Sequence, residues 1–430
     1  MASFDSSSTV QSEELTSFGV RLKDIIYRWL IRDFSPMYFV STMAMGITSC
    51  IMYDFPYESH WIRICGWIFF VINVITFIIL SIFMIISIKV DPSKFVHFHT
   101  NPQISPFMGC IAMGYMTIVN FFWSITQDLP HAAIIIWIFW WISVIISIYT
   151  SCIVFLFSFI IKHENNKIMK FEDLHLTILL PIVALTVSSV EGNLILLKLP
   201  TLNLQLLTII VTMILLSIAI CVSFVIITVN FWKLFVYKLP PTNLIFTSFF
   251  PIGLLGQASF GMSNLGHNFH QIILSTNVDN LSNYLASFDY QDLQQLKLIT
   301  SNVFLIFFLI IALFLLSFGY FMTFVAVSSV LSKSPPFAKN PNPKFVSKYG
   351  NLVWFRGYWA MTFPLGTMSL AQSELHKLVG SGIEFFRVMS TIYAIALFLV
   401  TISCMLGVIH TLYFELKWAW NYKPEKTQSV

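Results

Sequence analysis

Ten times along this chain an apolar run of about 20 residues or more returns, and every second run is free of proline. Runs of that length match the hydrocarbon thickness of a bilayer, and inside a bilayer a chain must satisfy every backbone polar group internally. The ten runs fall at approximately 35–53, 61–90, 106–127, 132–161, 175–196, 203–234, 243–263, 298–331, 354–374 and 382–414. Only 10% of the residues are charged and 57% are hydrophobic, against roughly 25% charged in a soluble domain. The expected fold is therefore an all-α polytopic membrane protein with ten transmembrane helices. Residues 1–34 and 415–430 are expected to be polar tails around a transmembrane domain at 35–414.

The runs are of two kinds. The even ones are long and proline-free, as in "WIFFVINVITFIILSIFMIISI". The odd ones carry a proline and then small or hydroxyl residues: "SPMYFVSTMAMGITS", "SPFMGCIAMGYMTIVN", "LPIVALTVSSVEGN", "FPIGLLGQASFG" and "FPLGTMSLAQS". A proline frees a carbonyl that neighbouring helices or water must satisfy, and small residues let helices approach closely. The pattern predicts five tandem helical hairpins, with the odd, proline-kinked helices in an inner ring around a pore and the even helices facing lipid. The candidates for lining or bending that ring are Thr42, Gly46, Gly114, Thr117, Asn120, Pro181, Ser188, Pro251, Gly256, Gln257, Ser259, Thr362, Pro364, Gly366, Thr367 and Ser369. Small and hydroxyl residues also serve as glue between helices, the commoner role for any one of them. Their recurrence in five alternate runs favours a conduit.

An even number of crossings puts both termini on one side. On that side fall 19 of the 24 Lys and Arg residues, and five fall on the other. The excess of cations on cytosolic loops then predicts cytosolic termini. The loop 264–297 is expected outside, where Asn280-Leu281-Ser282 fits the acceptor pattern for N-glycosylation. The Ser-rich start shows no apolar core of a cleaved signal, so none is expected. Cationic loops on the termini side, Arg356 among them, can concentrate anions, and Arg387, on the other side but within an apolar stretch, is the second candidate for anion attraction. Arg387 in "FFRVM" can equally snorkel outward. Glu191 is the one acid in the interior of an inner run; it could repel returning anions, and it is expected to reach the interface.

Nothing here calls for a cofactor. The six cysteines lie singly in apolar runs and form no C-x-x-C. The histidine groups "HFH" (97–99) and "HNFH" (267–270) belong to opposite sides of the membrane and cannot share a metal. No G-x-x-x-x-G-K-[ST] loop for a nucleotide occurs, and no nucleic-acid partner is expected. An enzyme is therefore not expected. A multi-span chemosensory receptor is the rival of another class, and seven crossings would place the termini on opposite sides, against the charge count.

"GYWAMTFPLGTMSLA" (357–371), "FPIGLLGQASFG" (250–261), "MGYMTIVNF" (113–121), "DFPYESHWIRIC" (54–65) and "FRVMSTIYA" (386–394) resemble the fungal sulfite efflux pumps. These belong to the tellurite-resistance/dicarboxylate transporter family, which includes slow anion channels. The likeness runs from about Phe34 to Leu412. It implies a plasma-membrane exporter of sulfite or bisulfite, with a malate or other anion channel of the same family as the alternative. It also implies a homotrimer with one pore per subunit. In the family's anion channels the phenylalanine before the proline of the ninth span plugs the pore. The matching residue is Phe363, which the resemblance makes the pore gate. Ala44, Ala112, Leu254 and Ala258 stand where that family usually carries glycine or proline.

Overall fold

A computed structural model of the chain describes residues 27–57, 59–161, 174–275, 290–333, 337, 354–380 and 382–421. Asn280 and most of both tails lie outside the described residues. The described chain is helical. Its α-helices are α1 Phe39–Tyr53, α2 His60–Val90, α3 Ser93–Thr100, α4 Gly109–Thr126, α5 Ala132–Ile148, α6 Leu180–Ile195, α7 Leu202–Tyr237, α8 Phe250–Ser275, α9 Tyr290–Leu331, α10 Thr362–Val379 and α11 Phe385–Asn421. Among the described residues eight helices are long and apolar enough to cross a membrane. The first and ninth predicted spans are the shorter helices α1 and α10, each lengthened at its start by a 3-10 turn.

Burial separates the two kinds of helix. The even spans α2, α5, α7, α9 and α11 bury only 17–33% of their most apolar windows, whereas those of α4, α6 and α8 are 61%, 94% and 83% buried. Thirteen of the 15 residues of α1 are buried as well. Along α2, Ile68, Ile75 and Ile82 recur every seven residues and are each half exposed, an apolar stripe whose natural solvent is lipid. The inner helices touch in a closed cycle: α1 with α4, α4 with α6, α6 with α8, α8 with α10, and α10 back with α1. Each also packs on the even helix that follows it.

Hydrocarbon gives helices no hydrophobic reason to associate, so close packing and hydrogen bonds must hold the ring. Every seam of the cycle contains a glycine. A Cβ on Gly46 would fall 1.9 Å from Thr117 Oγ1, and one on Gly114 2.5 Å from Thr42 Oγ1, so α1 and α4 interlock through two reciprocal glycine–threonine pairs. Gly109 lies against Leu180 and Pro181 of α6, Gly261 against Val190 of α6, Gly256 against Thr367 and Met368 of α10, and Gly366 against Ile47 of α1.

The prolines sit in the first half of each inner helix. Every inner helix begins with a 3-10 turn: Pro36–Tyr38, Ser105–Met108, Leu176–Leu179, Thr242–Phe249 and Arg356–Met361. Pro36 and Pro106 lie in those turns, and Pro181, Pro251 and Pro364 lie at the second or third α-helical residue. Because the 3-10 turns run directly into the α-helices, Pro181, Pro251 and Pro364 stand at the junctions of the two helical forms, where the missing N–H interrupts the hydrogen-bond ladder.

Candidate functional site: a vestibule shared by the inner ring

The inner helices run parallel. The C-terminal halves of α1, α4, α6 and α10, with the middle of α8, line a cavity of about 420 Å³. All five contribute: Cys50 and Met52 from α1, Asn120, Trp123 and Ser124 from α4, Leu194 from α6, Phe260 from α8, and Leu370, Ser373 and Glu374 from α10. Arg63, at the start of α2, and the turn Asp54–Pro56 complete its rim. The opposite end of the ring carries Arg356, which lies over the rings of Trp29 and Tyr38 at 5.1 and 5.3 Å. The vestibule therefore lies at the end away from the N-terminal segment.

Charge at the vestibule is mixed. Lys377 Nζ lies 3.3 Å from Glu374 Oε2, and Ser124 Oγ donates to Asp54 Oδ2 at 3.2 Å. Arg63 rests on the Tyr53 ring at 5.2 Å. His376 Nδ1 has no hydrogen-bond partner among the described residues. Asp54 is exposed at the rim, yet the protein mass beside it pushes its carboxyl above the usual aspartate range, against the opposing pull of Lys377, the Ser124 hydroxyl and Arg63. Gly380, with φ of 86°, ends α10 just beyond these residues, a left-handed position that glycine adopts without strain.

Of the expected pore residues, Asn120 lines this vestibule. Gln257 is buried on α8 and its Oε1 lacks a partner, an acceptor left over inside the ring. The others make the following packing contacts within the ring and with its outer helices. Ser188 bonds Ser143 and Ser147 of α5, Ser259 donates to the Ala312 carbonyl of α9, and Ser369 bonds Ser390 of α11. These hydroxyls thus point outward to the lipid-facing helices. Thr42, Gly46, Gly114, Thr117, Gly256 and Gly366 occupy the ring seams. Thr362 and Thr367 return their hydroxyls to carbonyls of their own chain, Trp359 and Pro364.

Phe363 is buried at 4% exposure, in the first turn of α10. A Cβ on Gly253 of α8 would meet Pro364 Cγ at 3.3 Å and Phe363 Cδ1 at 3.7 Å. Phe363 lies seven residues before Leu370, roughly 10 Å along the helix, so dense packing lies below the vestibule floor.

Arg387 is engaged at the vestibule end. Its Nε donates to the Pro56 carbonyl at 3.2 Å, and its guanidinium lies 4.0 Å over the Tyr57 ring. Glu191 does not reach the interface. It is 2% exposed and its Oε1 has no hydrogen-bond partner among the described residues. It sits three residues before Leu194, and α6 is the most enclosed inner helix.

Sequence reasoning passed over Arg63, Lys377, Asp54 and Glu374, which stand at helix ends where charge is ordinary. One signal was present: the side opposite the termini has only five cations, and two of them meet in this cavity.

A family model described as voltage-dependent anion channel matches residues 33–409. The sulfite efflux pump of Candida albicans is 39% identical over 395 residues, covering 90% of this chain and 77% of that protein. The sulfite efflux pump of Saccharomyces cerevisiae is 30% identical over 422 residues, covering 89% and 88%. That of Arthroderma benhamiae is 28% identical over 387 residues, covering 89% and 91%.

Proposed function

Because this chain belongs to the voltage-dependent anion channel family, we propose that it exports sulfite and bisulfite along the axis of its inner ring. The ten helices cross the plasma membrane, with both termini in the cytosol and the vestibule outside. The protein works as a homotrimer with one conduit in each subunit. The observation that carries this reading is the closed cycle of five parallel helices with one vestibule to which all five contribute. The names of the relatives supply the anion.

The physics of export follows from that arrangement. Five helix N-termini face the cytosol, and their unpaired N–H groups and dipoles favour negative charge at the entrance. The membrane potential then drives the anion outward, by about 2.3 kcal/mol per unit charge per 100 mV. No nucleotide chemistry is required for a downhill anion. Phe363 is the gate. An aromatic side chain in the path makes a dry constriction, and an anion must shed water to pass it. Pro364 fixes the first turn from which Phe363 projects, and Gly253 lets α8 close against it.

Intracellular sulfite in a fungal strain with and without the gene tests the substrate. The reading predicts greater accumulation and lower sulfite tolerance without it. Equal sulfite in the two strains, together with a change in malate, would contradict it.

A further inference from the structure

The ring delivers an anion into a vestibule that contains both signs of charge. Helix C-termini surround it, and their carbonyl ends are partially negative. Such a mouth would by itself repel an emerging anion. Arg63 and Lys377 stand against that field on the cavity wall. Arg63 rests on the face of Tyr53 and lines the cavity near Asp54, whose carboxylate it favours electrostatically. Lys377 shares its charge with Glu374 at 3.3 Å. His376 Nδ1 adds an unpartnered polar atom on the same wall.

Two cations of this kind recognise a small oxyanion by charge-assisted hydrogen bonds. Two carboxylates in the same cavity, Asp54 and Glu374, oppose a long stay. We propose that the vestibule is an oxyanion release site, where Arg63 and Lys377 catch the emerging anion while Asp54 and Glu374 keep its residence short. The site rests on the proposed direction of transport and deepens it. The ligand class is a small, hydrated, doubly or singly charged oxyanion of sulfur.

The opposing pair makes the site sensitive to external pH. The ionisable groups facing Asp54 across the cavity are Arg63 on α2 and Glu374, His376 and Lys377 on α10, with Cys50 and Tyr53 on its own helix. The α4 wall contributes the Ser124 hydroxyl, and α6 and α8 contribute Leu194 and Phe260 to the lining, while behind them Glu191 of α6 lies within electrostatic reach of Cys50 and His267 of α8 within that of Glu374. Acidification protonates Asp54 at a higher pH than a free aspartate. The cations are then less opposed, and the anion is held more tightly.

External sulfate, used as a probe, tests the site in two ways. In whole-cell voltage clamp with sulfite in the pipette, bath sulfate should inhibit sulfite efflux by occupying the vestibule. The double variant Arg63→Ala, Lys377→Ala should weaken that inhibition about tenfold, and Asp54→Asn should strengthen it about threefold, opposite signs from neighbouring residues. Arg63→Lys combined with Lys377→Ala should weaken inhibition less than the double alanine variant does. Lowering bath pH should strengthen inhibition in the wild type by more than in Asp54→Asn, where only Glu374 and His376 remain to gain protons. Thermal stabilisation of the purified protein by sulfate reads the same site without transport. A protein that binds sulfate through Arg63 and Lys377 but passes no anion current would overturn the transport reading and uphold the site. Equal inhibition and equal sulfate stabilisation in the wild type and all three variants would overturn the site.

Discussion

Gly256 of α8 and Thr367 of α10 meet with no room for a side chain between them: a Cβ on Gly256 would fall 2.8 Å from the Thr367 carbonyl carbon and from the Met368 nitrogen. Both neighbours are backbone, so neither can swing aside as a flexible side chain would.

Gly256→Leu should therefore separate α8 from α10 and open the ring at one seam. The expected cost is about 1–3 kcal/mol for overpacking, with loss of sulfite flux. Flux per molecule at the wild-type level, with normal surface expression, would mean that this seam does not shape the conduit.

Ser369→Ala discriminates packing from pore lining. The Ser369–Ser390 pair joins α10 to the outer helix α11, so removing one hydroxyl should lower thermal stability by about 0.6 kcal/mol. Anion selectivity should not change. A shift in selectivity with unchanged stability would turn Ser369 back toward the axis.

Arg387→Ala tests whether that cation attracts anions or anchors a turn. Its bond to Pro56 and its stacking on Tyr57 predict a loss of about 1 kcal/mol. The salt dependence of flux should stay as in the wild type. A fall in flux only at low ionic strength would instead mark Arg387 as a steering charge.

Much of this fold is legible in the sequence because hydropathy and proline report separate things. Apolar length marks the spans, and the alternation of proline-bearing with proline-free runs separates α1, α4, α6, α8 and α10 from their partners. The site was harder to read. Gly46, Ser188 and Ser369 carry the residue types that a pore would use, yet glycine at a seam and hydroxyls facing a neighbour satisfy the same physical demand. Residue type does not tell which face of a helix is used when nearly every face is covered. The 3-10 starts were invisible because a proline marks a break in the hydrogen-bond ladder without telling which helical form precedes it. Glu191 was taken for an interfacial acid by its place near a helix end, and the ring closes around it.

Phe363→Ala should remove the constriction while the ring stays assembled. The expected outcome is a larger anion conductance in voltage clamp with weaker selectivity, since water can follow the ion through the wider path. If Phe363 only packs between α8 and α10, the same change leaves a cavity costing roughly 3–5 kcal/mol. Stability and expression would then fall with no gain in current.

Sulfite release from liposomes that contain only the purified protein tests conduction through this ring most directly. With an imposed potential, negative on the sulfite-loaded side, and no ATP, sulfite should leave at a rate that rises with the potential and rises further in Phe363→Ala. Folded protein that releases no sulfite under that potential, or that releases it equally at zero potential, would contradict the account.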